Sequence, residues 1–275
     1  MTETALAQRP RKILRIEGKD AVPFLQGLVT NDVLPLQKAP GLVWAALLTP
    51  QGKYIADFFL VRRKEDPEGL IFLDIDAELA PQVQRLLTLY KLRAVVTIGE
   101  SDLALSRGTG TAPEAALADP RHAALGWRLY SDAALSQAPT APEAEAPAPA
   151  TPDLTDWNAI RIAHLIPEYP NELRPNETFI LEQAFERLHG VDFRKGCYVG
   201  QEVTARMKHK AELRKGLVRL QLEGEAAPGT PITLPDGREA GQIGTSAAGK
   251  ALAYMRFDRM EGELSAGSAK LRAES

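Results

Sequence analysis

The stretch Val191-Asp-Phe-Arg-Lys-Gly-Cys-Tyr-Val-Gly-Gln-Glu-Val-Thr-Ala-Arg206 holds the residue types and spacing that could do chemistry. Cys197 lies between Gly196 and Tyr198 and follows Arg194 and Lys195. Gly196 and Gly200 let the backbone turn tightly or come close to a ligand. The run Gln201 to Lys208 reads as a helix, which places the cysteine just ahead of a helix N-terminus. Neighbouring cations and a helix N-terminus both favour thiolate over thiol, and the thiolate is the nucleophile and metal ligand. The same residues also suit an inert cysteine that acts as a small apolar side chain in a loop. His189 and His209 flank the stretch without the spacing of a cysteine–histidine dyad. A basic run follows at Arg206, Lys208, His209, Lys210, Arg214 and Lys215, readable as a solvated face or as an anion site. Without interleaved aromatics it does not predict sequence-specific nucleic-acid recognition.

The chain has 275 residues and a single cysteine, so an internal disulfide is excluded, as is a zinc or iron–sulfur site built on its own thiolates alone. A formal net charge of -3 gives no overall basic footprint. No apolar stretch approaches the roughly 20 residues of a membrane span. Met1 to Gln8 carries Glu3 and lacks an apolar core, so it does not read as a secretory signal, and a cytoplasmic protein is expected. Motifs for phosphate loops, zincins and serine hydrolases are absent.

The elements that must position Cys197 follow from periodicity and turn residues. Arg11–Ile16 alternates as a strand, and Asp20 is placed to cap a short helical segment, Ala21 to Gly27. Leu42–Thr49 and Tyr54–Val61 flank Pro50-Gln-Gly-Lys53 as a hairpin. Leu70–Ile75 reads as a strand, Ala77–Lys91 as an amphipathic helix, and Ala94–Ile98 and Leu103–Ser106 as strands. Residues 136–153 are nearly all Ala, Pro, Glu and Thr, an extended linker or loop insertion between 1–135 and 154–212. Thr155 can cap a helix from Asp156 to about Leu165, and Phe179–Leu188 reads as another helix closed by Gly190. From 213 to 275, turn residues every few positions around short apolar runs predict a small β-barrel or sandwich. The class is α+β with a mostly antiparallel sheet. On residues alone, Asp57 on its strand faces either solvent or a cleft, Asn31 with Asp32 is a candidate site residue or a simple turn cap, and Arg161 suits a functional cation and a helix surface charge equally.

Lys195-Gly-Cys-Tyr-Val-Gly-Gln-Glu202 closely resembles the K-G-C-F/Y-x-G-Q-E signature of the YgfZ-like folate-binding family. That family sits in the superfamily of the glycine-cleavage T-protein, the aminomethyltransferase, and includes mitochondrial assembly factors for 4Fe–4S proteins. Phe24-Leu-Gln-Gly-Leu-Val-Thr-Asn-Asp32, Leu48-Thr-Pro-Gln-Gly-Lys53 with Asp57, and Thr204-Ala-Arg206 look like further blocks of it. The resemblance implies a three-lobed aminomethyltransferase-like (GcvT-like) fold with a C-terminal β-barrel and a tetrahydrofolate-type pocket near its centre. It implies Cys197 as the working cysteine and Asn31, Asp57, Arg161 and Arg206 as pocket-lining residues.

The helix block Arg161-Ile-Ala-His-Leu165 departs from the aminomethyltransferase pattern, with Ala163 where a folate-contacting Glu would stand. The function implied is a folate-binding accessory factor for iron–sulfur cluster assembly or repair rather than a classical enzyme. Cys197 would be one ligand of a shared cluster, completed by a partner such as an A-type carrier. Lys195 would favour the thiolate, with Gln201 and Glu202 orienting the loop and Gly196, Tyr198 and Gly200 shaping it. The alternatives are a tetrahydrofolate-dependent aminomethyltransferase-like enzyme and a regulator of tRNA modification acting through the basic run.

Overall fold

The computed structural model describes residues 9–132, 155–210 and 212–273. The Ala/Pro-rich stretch 136–153 lies outside the described residues.

The N-terminal lobe is a five-stranded sheet in the order β2-β3-β4-β1-β5. Its strands are β1 (Arg11–Glu17), β2 (Gly41–Leu48), β3 (Tyr54–Arg62), β4 (Leu70–Asp76) and β5 (Thr97–Glu100), every pairing antiparallel. The expected hairpin forms: Thr49 N donates to Lys53 O and Gly52 N to Thr49 O, each at 2.8 Å. Helices α1 (Ala21–Gln26), α2 (Pro35–Lys38) and α3 (Ala80–Tyr90) accompany the sheet. One face packs Leu14, Leu47, Phe58 and Leu73 with Leu25 of α1 and Val83 of α3. The other packs Trp44, Phe59 and Phe72 against Trp157, Ile180 and Phe185 from the second half of the chain. Burial on both faces is why β4 reads as a nearly continuous apolar run. Asp74 and Asp76 are nevertheless buried within it.

The second lobe combines a small sheet, order β6-β8-β7, with two helices. Its strands are β6 (Leu103–Gly108), β7 (Leu117–Ala118) and β8 (Trp127–Asp132), and its helices are α4 (Trp157–Ala163) and α5 (Gln201–Lys210). The third lobe is a closed barrel of β9 (Lys215–Glu223), β10 (Pro231–Thr233), β11 (Glu239–Ala247), β12 (Lys250–Arg256), β13 (Leu264–Ala266) and β14 (Ala269–Ala273). Thr233 pairs with Ser265 to close it. The interior is filled by Leu220, Ile232, Ile243, Met255 and Leu271.

Four local expectations change. Asp20 does not cap α1, because its carboxylate accepts the amide of Val95 at 2.8 Å from the loop before β5. Asp156 rather than Thr155 caps α4, accepting from Ala159 N at 2.9 Å. The strand expected at Ala94–Ile98 begins at Thr97, since Val96 turns inward to be buried. Phe179–Leu188 contains only a short 3-10 turn, Ile180–Gln183, after which Ala184 and His189 take left-handed φ angles of 60° and 57°. Gly190 is demanded there by packing, for a Cβ would lie 2.6 Å from ring atoms of both Trp44 and Phe185.

Candidate functional site

Three segments far apart in sequence meet at the cysteine loop. Lys195 Nζ donates to the carbonyls of Gln26 (2.9 Å), Val29 (2.5 Å) and Asn31 (2.9 Å), so all three ammonium protons are engaged by the turn after α1. Thr30 adds a second tie, its Oγ1 donating to Gly190 O at 2.7 Å while its carbonyl accepts Asp192 N. Asn31 Nδ2 bridges Trp44 O (2.8 Å) on β2 and His189 O (2.7 Å). On the far side of the cysteine, Gly200 has φ +82°, and a Cβ there would lie 2.6 Å from Thr49 O and 3.2 Å from Gly52 Cα. Gly52 has φ +75° and faces Val203 and Gly200 O in return. Two glycines in the left-handed region thus let the loop sit backbone to backbone on the β2–β3 turn.

Cys197 itself is a free, exposed cysteine at the crest of this anchored loop. Nothing lies within 4 Å of where a Gly196 Cβ would be. Tyr198 points inward and is buried; burial raises its phenol to about 12, with Thr204 pulling the other way. Its hydroxyl makes no hydrogen bond of good geometry, and Thr204 Oγ1 donates instead to Gly200 O. Gln201 opens α5, its amide donating to Tyr198 O. Glu202 accepts from Arg206 at 2.7 Å across one exposed helical turn. Burial pulls the Lys195 ammonium down to about 8, against the charges of Asp32 and Asp192. Lys195 therefore anchors the loop, rather than pointing its protons at the sulfur.

A second centre lies on the inner face of the sheet. Asp57 Oδ2 accepts Trp44 Nε1 and its Oδ1 accepts the Tyr54 hydroxyl, both at 2.8 Å. Burial, then the charge of Asp57, raises the Tyr54 phenol well above its ordinary value. Trp44 stacks on Phe185 with centroids 4.2 Å apart. Arg161 is buried rather than a surface charge: it donates to Glu172 Oε2 at 2.5 Å and to Asn158 Oδ1 at 2.9 Å, while its Nε is buried without a partner. Burial opposes its charge, but Glu168 and Glu172, with Asp57 further off, hold the guanidinium above its usual value.

Lys195 to Glu202 and Asn31 thus converge at one place, and Asp57 lies near enough to Arg161 for its charge to act on the guanidinium, with Trp44 linking Asp57 to Asn31. Arg206 joins neither, because α5 turns it outward to Glu202. Part of the basic run is likewise paired, Lys208 with Glu186 at 2.5 Å. Sequence reasoning missed the charged interior altogether. Arg128 donates to Asp74 (2.6 Å), Arg11 shares that carboxylate (2.7 Å), and Arg121 holds Asp119 (2.8 Å). Asp74 and Asp76 inside an apolar strand were the available signal. Among the described residues, no group of three or more His, Cys, Asp or Glu side chains could hold a metal ion, and no helix is long and apolar enough to cross a membrane.

Residues 214–275 match the family model of the CAF17 C-terminal beta-barrel domain. The fold is similar to the crystal structure of glycine cleavage system aminomethyltransferase T from Bartonella henselae, with a TM-score of 0.67 at 14% identity over 96% of this chain and 83% of that one. Among curated proteins, the chain is 32% identical to the mitochondrial iron–sulfur cluster assembly factor IBA57 of Mus musculus, over 92% of this chain and 78% of that protein. It is 30% identical to the Homo sapiens protein over the same shares, and 34% identical to the Mycosarcoma maydis homologue over 84% of this chain and 60% of that protein. These relatives are mitochondrial by name, which corrects the cytoplasmic placement expected from the sequence. The three-lobed aminomethyltransferase-like fold ending in a barrel agrees with the family resemblance at the cysteine motif. The chain belongs to the IBA57 family of iron–sulfur cluster assembly factors.

Proposed function

We propose that this chain assists assembly or repair of 4Fe–4S clusters by lending Cys197 as one thiolate ligand while a partner supplies the others. The observation that carries the reading is an exposed thiol on a loop held rigidly from both sides. An exposed sulfur can reach iron held by another protein, and a fixed backbone keeps the ordering entropy of that contact small. Ligation requires loss of the thiol proton, which solvent accepts at this exposed position. One cysteine supplies one soft ligand, so the remaining thiolates belong to a partner such as an A-type carrier.

On this reading the lobes formed by residues 1–135 and 154–212 bind a tetrahydrofolate-type molecule, and the barrel, 213–275, closes the ring around it. The residues present fit such a ligand. Asp57 is fixed by Trp44 and Tyr54 with acceptor capacity left, and the unpartnered Nε of buried Arg161 offers a donor. A heterocycle carrying both amide and amino groups satisfies both. When bound, the reduced pterin supplies one-carbon or reducing chemistry; Asp57 and Arg161 would orient it, and Asn31 would tie that centre to the cysteine loop.

The test is complementation of cells that lack their own copy, scoring 4Fe–4S enzymes with 2Fe–2S enzymes as the control. Cys197→Ala and Cys197→Ser should leave 4Fe–4S activities low at wild-type protein levels. Full activity with both variants would overturn the role of the cysteine.

A further inference from the structure

A cavity of about 120 Å³ lies where the loops after α4 meet β11 and β12 of the barrel. Neither Cys197 nor Asp57 lines it. A single water needs about 10–15 Å³ of such space, so a molecule of several non-hydrogen atoms fits. Gln183, at the end of the 3-10 turn Ile180–Gln183, is part of its wall. That residue is only 3% exposed, and its Oε1 is buried without a hydrogen-bond partner. A buried acceptor left unpaired costs free energy, and a donor on a bound molecule would remove that cost.

The charges around Gln183 set the ligand class. Glu182 Oε2 accepts the Tyr254 hydroxyl at 2.7 Å, which leaves its Oε1 open. Burial, then Glu182, raises the Tyr254 phenol, which keeps that hydroxyl the donor. Glu177 stands at the exposed rim with no ion-pair partner among the described residues. Arg174 is held through Nη1 by the side-chain oxygen of Gln242 rather than by a carboxylate, so no ion pair neutralises it among the described residues. The acids form no metal-holding group there. Acceptors on Gln183, Glu182 and Glu177 suit an ammonium, and the Arg174 guanidinium suits a carboxylate. We infer that this cavity binds a small zwitterion, an α-amino acid with a short side chain, its ammonium donating to Gln183 Oε1 and Glu182 and its carboxylate accepting from Arg174. Because the walls come from both the second lobe and the barrel, the occupant ties the two together and stabilises the folded chain by mass action.

Isothermal titration of the full chain with L-alanine tests the site. The controls are N,N,N-trimethyl-L-alanine, which has no N–H donor, and propionate, which has no ammonium. L-alanine should bind with a Kd below about 1 mM and raise the unfolding temperature, and both controls should bind about tenfold more weakly or not at all. Gln183→Leu removes the unpaired acceptor together with its desolvation cost, so the variant should fold at least as stably as wild type and bind L-alanine about tenfold more weakly or worse. Glu177→Lys, at the exposed rim where little folding is at risk, should weaken binding about tenfold by setting a cation beside the ammonium. No binding of L-alanine, or equal affinity for either control, would overturn the inference and leave the cavity to water. Unchanged L-alanine affinity in Gln183→Leu, or in Glu177→Lys if the first variant does not fold, would overturn it as well.

Discussion

Lys195 directs its three protons to the carbonyls of Gln26, Val29 and Asn31, so its contribution at the thiol is position. Its titration gives a direct check. In the folded chain the ammonium loses its proton near pH 8, whereas the unfolded lysine keeps it to about 10.5. Between those values the unfolded state binds more protons, so this group makes folding more favourable as pH rises. The stability difference between wild type and Lys195→Met, from urea unfolding at pH 7 to 10, should therefore move in favour of wild type as pH increases. A difference independent of pH would mean that the lysine is not held in this buried, charged form. Neither the anchoring carbonyls nor their identity could be read from the chain, because Gln26 and Lys195 are 169 residues apart. The cysteine itself was legible, since its motif is local.

At the level of elements, the loop depends on the glycine-to-glycine contact between the β2–β3 turn and the residues before α5. Gly200→Ala puts a Cβ 2.6 Å from Thr49 O at φ +82° and should cost about 1–3 kcal/mol. Gly196→Ala meets nothing within 4 Å and should stay within roughly 0.5 kcal/mol of wild type. Chemical denaturation of both variants measures the contrast; equal costs would remove the docking contact from the account. The hairpin and the barrel strands were legible because Gly, Pro and Asp mark their turns locally. The segment 179–190 was not: Ala184 and His189 take left-handed backbones because Phe185 must reach the Trp44 ring. That requirement comes from the sheet, not from the segment's own periodicity.

For the whole molecule, Arg161 and Glu172 join the second lobe to the barrel. Glu172 Oε1 accepts Thr245 N of β11 at 2.6 Å, and its Oε2 accepts Glu168 N at 2.9 Å and Arg161. Arg161→Met leaves Glu172 buried without its counter-charge, so unfolding free energy should fall by about 3–5 kcal/mol. A loss below about 1 kcal/mol would show a solvated pair. The charged interior was invisible in the sequence because Arg11, Arg107, Arg121, Arg128 and Arg161 come from separate strands and segments and gather only in the folded chain. The near-neutral composition hid them, whereas the motif around the single cysteine is local and could be read directly. On the proposed function, this cysteine completes a cluster held mainly by another protein. Its most direct test is anaerobic 4Fe–4S reconstitution with an A-type carrier, read by cluster absorbance and by co-elution of the two proteins. The wild type should form a cluster-bearing complex with the carrier, and Cys197→Ala should not; equal cluster content and co-elution with Cys197→Ala would contradict the claim.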